Sequence, residues 1–207
     1  KNYFNKSGKL LDLGCGRGEY LKALSDLNLK TYGVDISPKL SEYSKENNLN
    51  MIVADLEAST LPLKEGSFDY VFSKSVIEHL REPAHLIQNA YNVLKPGGKA
   101  VFMTPSWEHN YKAAFYIDHT HVTPFTKPSL SDIIKICGFD DVEVQYFYQI
   151  PWLWGKPYLN FIPKVISLLP IPYKPLNDVP WKVSNKFNKL IRFSKEVMLL
   201  AVATKKE

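Results

Sequence analysis

The stretch Leu11-Asp12-Leu13-Gly14-Cys15-Gly16-Arg17-Gly18 decides the fold of this chain of 207 residues. It begins within a short, mostly apolar run, and a segment with leucines at helical spacing follows it. A buried strand that ends in clustered glycines and leads into a helix is typical of a doubly wound α/β fold. The glycines allow a sharp turn, and because they have no side chain a ligand can approach the main chain closely.

The spacing of these glycines argues against a dinucleotide ligand. Dinucleotide-binding turns follow a G-x-G-x-x-G pattern. Here the glycines are Gly14, Gly16 and Gly18, and Glu19 stands where the third dinucleotide glycine belongs. A pyrophosphate at a helix N-terminus needs N–H donors rather than a carboxylate. The expected ligand therefore lacks a diphosphate, and a cationic sulfonium with an amino-acid tail fits the nearby Asp12 and Glu19 better.

Two further acids close the next two predicted strands. Asp35 follows the last glycine of the turn by 17 residues, close to the spacing expected for a ribose-binding acid. Asp55 is followed by Leu56, and a carboxylate with the next backbone N–H can read the edge of an adenine. Because ligands bind at the carboxyl ends of the strands in open α/β sheets, Asp12, Asp35 and Asp55 should face one site.

The order of apolar segments predicts an alternation of strands and helices, and therefore a mostly parallel, seven-stranded sheet with helices on both faces. The last two strands should pair antiparallel at the sheet edge. Pro96-Gly97-Gly98 is predicted to be a turn that ends a helix. Strands are predicted over residues 9–13, 31–35, 50–54, 67–73, 99–104, 142–148 and 196–204, and helices over 19–28, 84–94 and 129–137, with a further helix starting at Ser37-Pro38.

A segment rich in proline, aromatic and basic residues interrupts the last strand pair. Residues 151–193 hold seven Lys or Arg against one acid, a net charge of +6, and residues 194–207 carry +1. Since the whole chain carries +5, residues 1–150 carry −2. The predicted division is a core over 1–150, an insertion over 151–193 and a final edge strand over 194–207. The insertion has three interpretations: a lid over a substrate pocket, a docking surface for a membrane or a lipid-linked glycan, or a subdomain whose aromatic side chains are buried.

These motifs, in this order, resemble those of class I S-adenosylmethionine-dependent methyltransferases. The resemblance covers about residues 8–150 and is strongest to the small-molecule branch, with ubiquinone-biosynthesis O-methyltransferases and cell-envelope saccharide methyltransferases. It lies in Gly14-Cys15-Gly16-x-Gly18, Asp35, Asp55-Leu56, Phe68-Asp69-Tyr70-Val71, Ile77-Glu78-His79-Leu80 and Leu94-Lys95-Pro96-Gly97-Gly98.

The resemblance implies S-adenosylmethionine as cofactor and S-adenosylhomocysteine as its product, bound in a Rossmann-like fold. It implies the glycines around the carboxypropyl part, Asp35 on the ribose and Ser73 near the methionine tail. Structural alternatives stay open for Asp12, as a cap of the loop, and for Cys15, as a small packing residue. The expected cofactor-binding set is Asp12, Gly14, Cys15, Gly16, Gly18, Asp35, Ile36, Asp55, Leu56 and Ser73.

Three histidines in predicted loops are candidates for a catalytic base: His79, His119 and His121. Methyl transfer to an oxygen requires removal of a proton near neutral pH, and imidazole suits that task. Packing over the cofactor is the alternative role for His79, and structural hydrogen bonding is the alternative for the other two. No metal site is predicted, because Ser75 replaces the first acid of a Glu-x-x-Glu-His motif that some similar families use. Glu78 and His79 with either later histidine remain an alternative cation site.

The preferred function is therefore S-adenosylmethionine-dependent methylation of a small molecule or saccharide, with O-methylation assisted by a histidine. One alternative is a nucleic-acid methyltransferase, suggested by the pI of about 9.0. The position after the fourth strand reads Ser73-Lys74-Ser75-Val76 rather than the Asn/Asp-Pro-Pro-Tyr/Phe of amino-methylating DNA enzymes, so no nucleic-acid partner is expected. The other alternative is a module that binds the cofactor without turnover.

The two cysteines, Cys15 and Cys137, form neither a metal-binding spacing nor a disulfide framework. This favours a cytoplasmic location, and peripheral membrane contact through residues 151–193 stays open.

Overall fold

The computed structural model describes residues 3–4, 7–110, 115–174 and 186–207. Its central feature is a seven-stranded sheet, as predicted. The strands are β1 (Gly8–Leu13), β2 (Leu29–Asp35), β3 (Met51–Val53), β4 (Phe68–Lys74), β5 (Leu94–Pro105), β6 (Phe139–Phe147) and β7 (Met198–Lys205). They lie side by side in the order β3-β2-β1-β4-β5-β7-β6.

Helices connect and flank these strands. Proline stands in the first turn of several of them, where its missing N–H costs no hydrogen bond. The described α-helices are α1 (Glu19–Ser25), α2 (Pro38–Glu46), α3 (Pro83–Val93), α4 (Trp107–Asn110), α5 (Lys127–Ile136), α6 (Phe161–Leu168) and α7 (Lys186–Lys195). Short 3-10 helices span Ile77–His79, Phe115–Ile117, Pro151–Leu153 and Pro157–Leu159.

The strand directions confirm a doubly wound sheet with one reversed strand. The pairs β1–β2, β1–β4, β2–β3 and β4–β5 are parallel, whereas β7 runs antiparallel to both β5 and β6. The chain moves outward from β1 to β3 on one side and from β4 to β5 on the other. The order therefore reverses between β1 and β4, and a crevice opens at their carboxyl ends, where ligands bind in such sheets.

The core consists of two apolar clusters, one on each face of the sheet. Leu10 and Leu11 are both almost fully buried, yet they belong to different clusters, because successive side chains of a strand point to opposite faces. Helices cover both faces, which explains why β1 is apolar without alternation. The sheet thereby holds the glycine turn after β1 on a rigid base.

Two details of the predicted strands are wrong. The last strand is not at the edge, because β7 lies between β5 and β6, and β6 forms the edge instead. Pro96-Gly97-Gly98 does not end a helix, since α3 stops at Val93 and these residues lie inside β5. There they form a bulge: β5 advances from Leu94 to Lys99 while the paired β4 advances only from Phe68 to Tyr70.

The described parts of the predicted insertion, residues 151–174 and 186–193, contain short helices and turns. Ile150, Leu153 and Phe193 form a small satellite core there, and α6 packs against α7. Residues 175–185, which include Trp181 and Lys182, lie outside the described residues. No helix in the described part of the chain has both the length and the apolar character needed to cross a membrane.

Candidate active site

The glycine turn after β1 is shaped by close backbone contacts. Gly14 has φ +81°, and a Cβ at this position would lie 2.2 Å from the Val76 side chain, so no larger residue fits. The N–H groups of Gly14 and Cys15 both donate to the Val34 carbonyl, at 2.8 and 3.1 Å, which ties the turn to β2. Gly16 has φ +50°, and apart from its chain neighbours no described residue has an atom within 4 Å of its Cβ position. The turn therefore presents an open face at Gly16.

Asp35 braces this turn from the end of β2. Its Oδ2 accepts a hydrogen bond from the Gly16 N–H at 2.9 Å, and its Oδ1 accepts one from the Ser37 N–H at 3.0 Å. An ionised carboxylate offers about four acceptor positions, so both oxygens can accept further bonds from ribose hydroxyls. The structure therefore gives Asp35 a structural role that is compatible with its predicted role in binding.

Asp12 is a buried acid that lacks a partner on one oxygen. Asp12 is only 2% exposed, and its Oδ2 has no hydrogen-bond partner in the described part of the chain. Burial raises the pKa of Asp12 to about 7, and the charge of Asp35 adds to the shift. An orphaned carboxylate of this kind is stabilised by a nearby cation. The site thus fits a ligand that carries positive charge.

The predicted adenine and ribose region lies beside the ends of β2 and β3. Asp55 is exposed, and its Oδ1 accepts a hydrogen bond from the Glu57 N–H at 2.9 Å. Ile36 is 63% exposed next to Asp35 and offers an apolar surface on which a flat base can pack. Leu56 is buried, so only its backbone is suited to contact a ligand.

Two residues of the expected cofactor-binding set are engaged with the protein itself. Ser73 is buried, and its hydroxyl donates to the Leu13 carbonyl at 2.9 Å, linking β4 to β1. Cys15 is buried, and its Sγ occupies the space that a side chain at Gly33 would need. Burial also raises the pKa of the Cys15 thiol. These contacts agree with packing roles for both side chains.

A cavity of about 700 Å³ lies over the carboxyl ends of β4 and β5, beside the start of α1. Small-molecule sites usually have volumes of this order. The cavity is lined by Glu19, Tyr20, Lys74, Ser75, Glu78, His79, Pro105, Asn110, Phe115, Ile117, Asp118, His121, Gln149, Arg192, Phe193, Glu196, Val197 and Met198.

Backbone hydrogen bonds bring two of the three predicted catalytic histidines together in this cavity. The N–H groups of Val122 and Thr123 donate to the Glu78 carbonyl at 2.8 and 3.0 Å. These bonds fix the loop that carries His121 against the 3-10 helix that carries His79. The two rings lie 4.6 Å apart between centroids.

The hydrogen bonds of the two rings define which nitrogen carries the proton. The Nδ1 of His121 lies 2.7 Å from the Phe115 carbonyl, which can only accept, so Nδ1 is the donor. The Thr120 hydroxyl donates to Asp118, at 2.6 Å, and therefore accepts from the Nδ1 of His79, at 2.8 Å. In their neutral forms both rings keep a basic Nε2. Burial, and then the charge of His121, lower the pKa of His79.

Glu78 completes a cluster with the two histidines. It is fully buried, its Oε2 accepts from the Thr104 hydroxyl at 3.0 Å, and its Oε1 has no partner among the described residues. Burial raises the pKa of Glu78 to about 7. One ligand atom from each of Glu78, His79 and His121 lies within 4.8 Å of the others. The orphaned oxygen and this donor set fit a divalent cation. The side chains of the alternative cation site therefore lie close together, although the preferred expectation from the sequence was that there is no metal site.

His119 is separated from the other two histidines. It is exposed and does not line the cavity. Its neighbour in sequence, Thr120, carries the hydrogen bond to His79 instead. The sequence does not distinguish His119 from His121, whereas in the structure His121 lines the cavity and His119 does not.

A buried ion pair on and just after α7 also reaches this cavity, although the sequence did not predict it. Arg192 is 5% exposed, and its Nε donates to Glu196 Oε2 at 2.8 Å. Its Nη1 is buried without a hydrogen-bond partner in the described residues. The only hint in the sequence was the spacing of opposite charges at i and i+4.

Comparisons with known proteins agree with this geometry. Residues 11–102 match the family described as "Methyltransferase domain". The chain is 32% identical over 117 residues to a ubiquinone biosynthesis O-methyltransferase from Coxiella burnetii, covering 54% of this chain and 48% of that protein. It is 38% identical over 109 residues to a malonyl-[acyl-carrier protein] O-methyltransferase from Marinomonas sp., covering 49% and 40%. The chain thus spans about half the length, or less, of these curated relatives.

A solved structure extends the likeness to the whole fold. A SAM-dependent methyltransferase from Archaeoglobus fulgidus superimposes with a TM-score of 0.69 at 24% identity, covering 99% of this chain and 89% of that one. Residues 11–102 are accordingly a methyltransferase domain, and the chain has the class I S-adenosylmethionine-dependent methyltransferase fold. S-adenosylmethionine is the cofactor of such a domain, and its cationic sulfonium and ammonium groups fit the orphaned Asp12.

Proposed function

We propose that this protein transfers a methyl group from S-adenosylmethionine to a hydroxyl group of a small molecule or saccharide. The observation that carries the proposal is the pair of basic Nε2 atoms on His79 and His121, set in a cavity beside the glycine turn. Two relatives are named O-methyltransferases, which supports an oxygen atom as the methyl acceptor. When bound, the cofactor supplies an activated methyl group on a positively charged sulfur.

The protein contributes position and proton transfer. The glycine turn, Asp12 and Asp35 hold the cofactor, and the cavity wall holds the acceptor close to it, which lowers the entropic cost of reaction. The Nε2 of His121 or His79 accepts the proton of the acceptor hydroxyl as the oxygen gains the methyl group, and the proton then passes to solvent. A positioned general base contributes roughly 10²–10⁴-fold in rate.

The Oε1 of Glu78, which has no hydrogen-bond partner among the residues that the structure describes, favours a second role for the same side chains. Glu78, His79 and His121 would hold a divalent cation, which would lower the pKa of the acceptor hydroxyl and orient it. Because a cation and a proton compete for the same Nε2 atoms, the two roles exclude each other within one turnover.

The test measures formation of S-adenosylhomocysteine with a panel of phenolic, carboxylic and sugar acceptors. With an active acceptor, at least one of His121→Ala and His79→Ala, the one that removes the base, should lower kcat by roughly 100-fold or more. His119→Ala should keep full activity, because His119 lies outside the cavity. Equal losses in all three variants would contradict the proposal, as would no loss in any of them.

Treatment with a chelator separates the two roles of the histidines. If activity survives chelation, the histidines act as bases. If chelation abolishes activity and manganese restores it, they hold a cation.

A further inference from the structure

The insertion presents apolar side chains to the outside, although an ordinary subdomain would bury them. Five of its seven described aromatic side chains are exposed, which contradicts the interpretation of a subdomain with buried aromatics. We define the insertion surface by six exposed residues: Trp152, Trp154, Tyr158, Phe161, Val165 and Leu168. Monomeric proteins seldom leave such a group of large apolar side chains without a partner.

Helix α6 shows most clearly that this exposure is organised. Phe161, Val165 and Leu168 stand at positions i, i+4 and i+7, so they share one face of the helix. They are 61%, 52% and 79% exposed. Pro163, on another part of the helix, is buried. The helix therefore turns an apolar stripe toward the outside and a different face toward α7, against which it packs.

The charges around this surface have one sign. The described residues 151–174 and 186–191 contain five lysines and no Asp or Glu. The next basic residue, Arg192, is buried and paired with Glu196, so it adds no charge to this surface. Lys156, Lys164, Lys174 and Lys186 are exposed. Lys164 lies within α6 itself, three residues after Phe161 and four before Leu168, so it flanks the apolar stripe.

We infer that the insertion surface docks on an anionic phospholipid bilayer. Tryptophan and tyrosine favour the interface between lipid and water, and lysine can bury its alkyl stem while its ammonium group remains with the headgroups. Basic amphipathic surfaces bind anionic membranes in this way. Lysine is depleted at protein–protein interfaces, so the exposed lysines favour lipid over a protein partner. Binding of the insertion surface to a bilayer does not depend on which molecule accepts the methyl group.

The indole ring of Trp154 is suited to insertion without exposing an unpaired donor. The Nε1–H of Trp154 donates to the Tyr148 carbonyl at 3.1 Å, while about half of the residue remains exposed. The ring can thus enter the interfacial region with its polar atom already satisfied. Trp152, two positions earlier in the sequence, is 49% exposed.

The test is sedimentation of the whole chain with vesicles of phosphatidylcholine, with and without about one third phosphatidylglycerol. Wild type should bind the anionic vesicles at least about tenfold more tightly than the neutral ones, and salt should weaken the binding. Phe161→Ser/Val165→Ser/Leu168→Ser should lose at least about tenfold in affinity. Lys156→Gln/Lys164→Gln should lose roughly fivefold per charge at low salt.

A matched control lies on α5, outside the insertion. Ile136 is 83% exposed and its neighbour Lys135 is exposed too, so Lys135→Gln/Ile136→Ser makes similar changes elsewhere. It should bind vesicles as wild type does. Since every substituted side chain is exposed, all variants should have the thermal unfolding midpoint of wild type. If a multiple variant unfolds at a lower temperature, the corresponding single substitutions are tested in its place.

Tryptophan fluorescence gives a second measurement. Anionic vesicles should shift the wild-type emission to shorter wavelength, and Trp152→Phe/Trp154→Phe should lose that shift. Absence of binding to anionic vesicles overturns the inference, and so does equal binding by wild type and the triple serine variant. Concentration-dependent dimerisation that the triple variant abolishes, without vesicle binding, would instead assign the surface to a second copy of the chain.

Discussion

Substitution of Asp12 by asparagine tests the electrostatics of the site most directly. Oδ2 of the buried carboxylate lacks a hydrogen-bond partner among the described residues, and burial raises the pKa of Asp12 from 3.8 to about 7. Asparagine has nearly the same shape and carries no charge at any pH. We therefore expect Asp12→Asn to stabilise the protein without ligand and to weaken its binding of S-adenosylmethionine, whose positive charge loses an anionic neighbour.

The magnitude follows from the shift in pKa. A rise from 3.8 to about 7 corresponds to roughly 4 kcal/mol, because each pKa unit is worth 1.36 kcal/mol. At pH values between 3.8 and about 7, Asp12 has lost its proton in the unfolded chain but keeps it in the folded protein. Wild-type stability therefore falls as the pH rises through this window and stays low above it. Asp12→Asn does not lose stability in this way, because asparagine does not titrate.

The assay is urea unfolding of the ligand-free protein, followed by circular dichroism at several pH values from about 4 to about 8. The free energy of unfolding of Asp12→Asn minus that of wild type should rise across this range by up to about 4 kcal/mol. Asp132→Asn, at an exposed position on α5, removes a carboxylate outside the site and is the control.

Two results would refute this reasoning. One is a difference between Asp12→Asn and wild type that stays constant from low to high pH, since that would mean that Asp12 titrates alike in both states. The other is a variant less stable than wild type near pH 8, since that would mean that the carboxylate makes favourable contacts in the folded protein.

Four further substitutions probe other parts of the site. Asp35→Ala should abolish calorimetric binding of S-adenosylhomocysteine, because it removes the proposed ribose acceptor and the brace on Gly16; unchanged affinity would exclude both roles. Gly14→Ala should lower the thermal unfolding midpoint more than Gly16→Ala, because its Cβ would collide with Val76, whereas Gly16→Ala should cost roughly 1–2 kcal/mol and mainly weaken cofactor binding. Glu78→Gln should make the free energy of unfolding less dependent on pH between its ordinary pKa of 4.5 and about 7, because burial raises that pKa. The same variant should bind manganese less tightly in a direct titration, and unchanged affinity would remove Glu78 from the cation site.

The sequence determined the features that depend on local order along the chain. Apolar runs, their periodicity and the glycines at 14, 16 and 18 were enough to predict the doubly wound sheet and the carboxyl-end placement of Asp12, Asp35 and Asp55. These predictions succeed because side-chain direction in strands and helices follows fixed periods, and parallel strands bring their carboxyl ends to one edge.

Only the tertiary structure decided which loop residues meet. His121 rather than His119 faces His79, because hydrogen bonds from Val122 and Thr123 to the Glu78 carbonyl set the rotation of that loop. No periodicity encodes such a bond between residues more than 40 positions apart.

The tertiary structure also decided where the insertion joins the cavity and where the last strand lies. Arg192 reaches the cavity through the packing of α7, and β7 takes an inner place because it pairs with both β5 and β6. The side chains of the insertion are apolar and basic in the sequence, but which of them are buried depends on how α6 packs on α7. Burial is a property of the assembled surface, so a linear pattern leaves it undetermined.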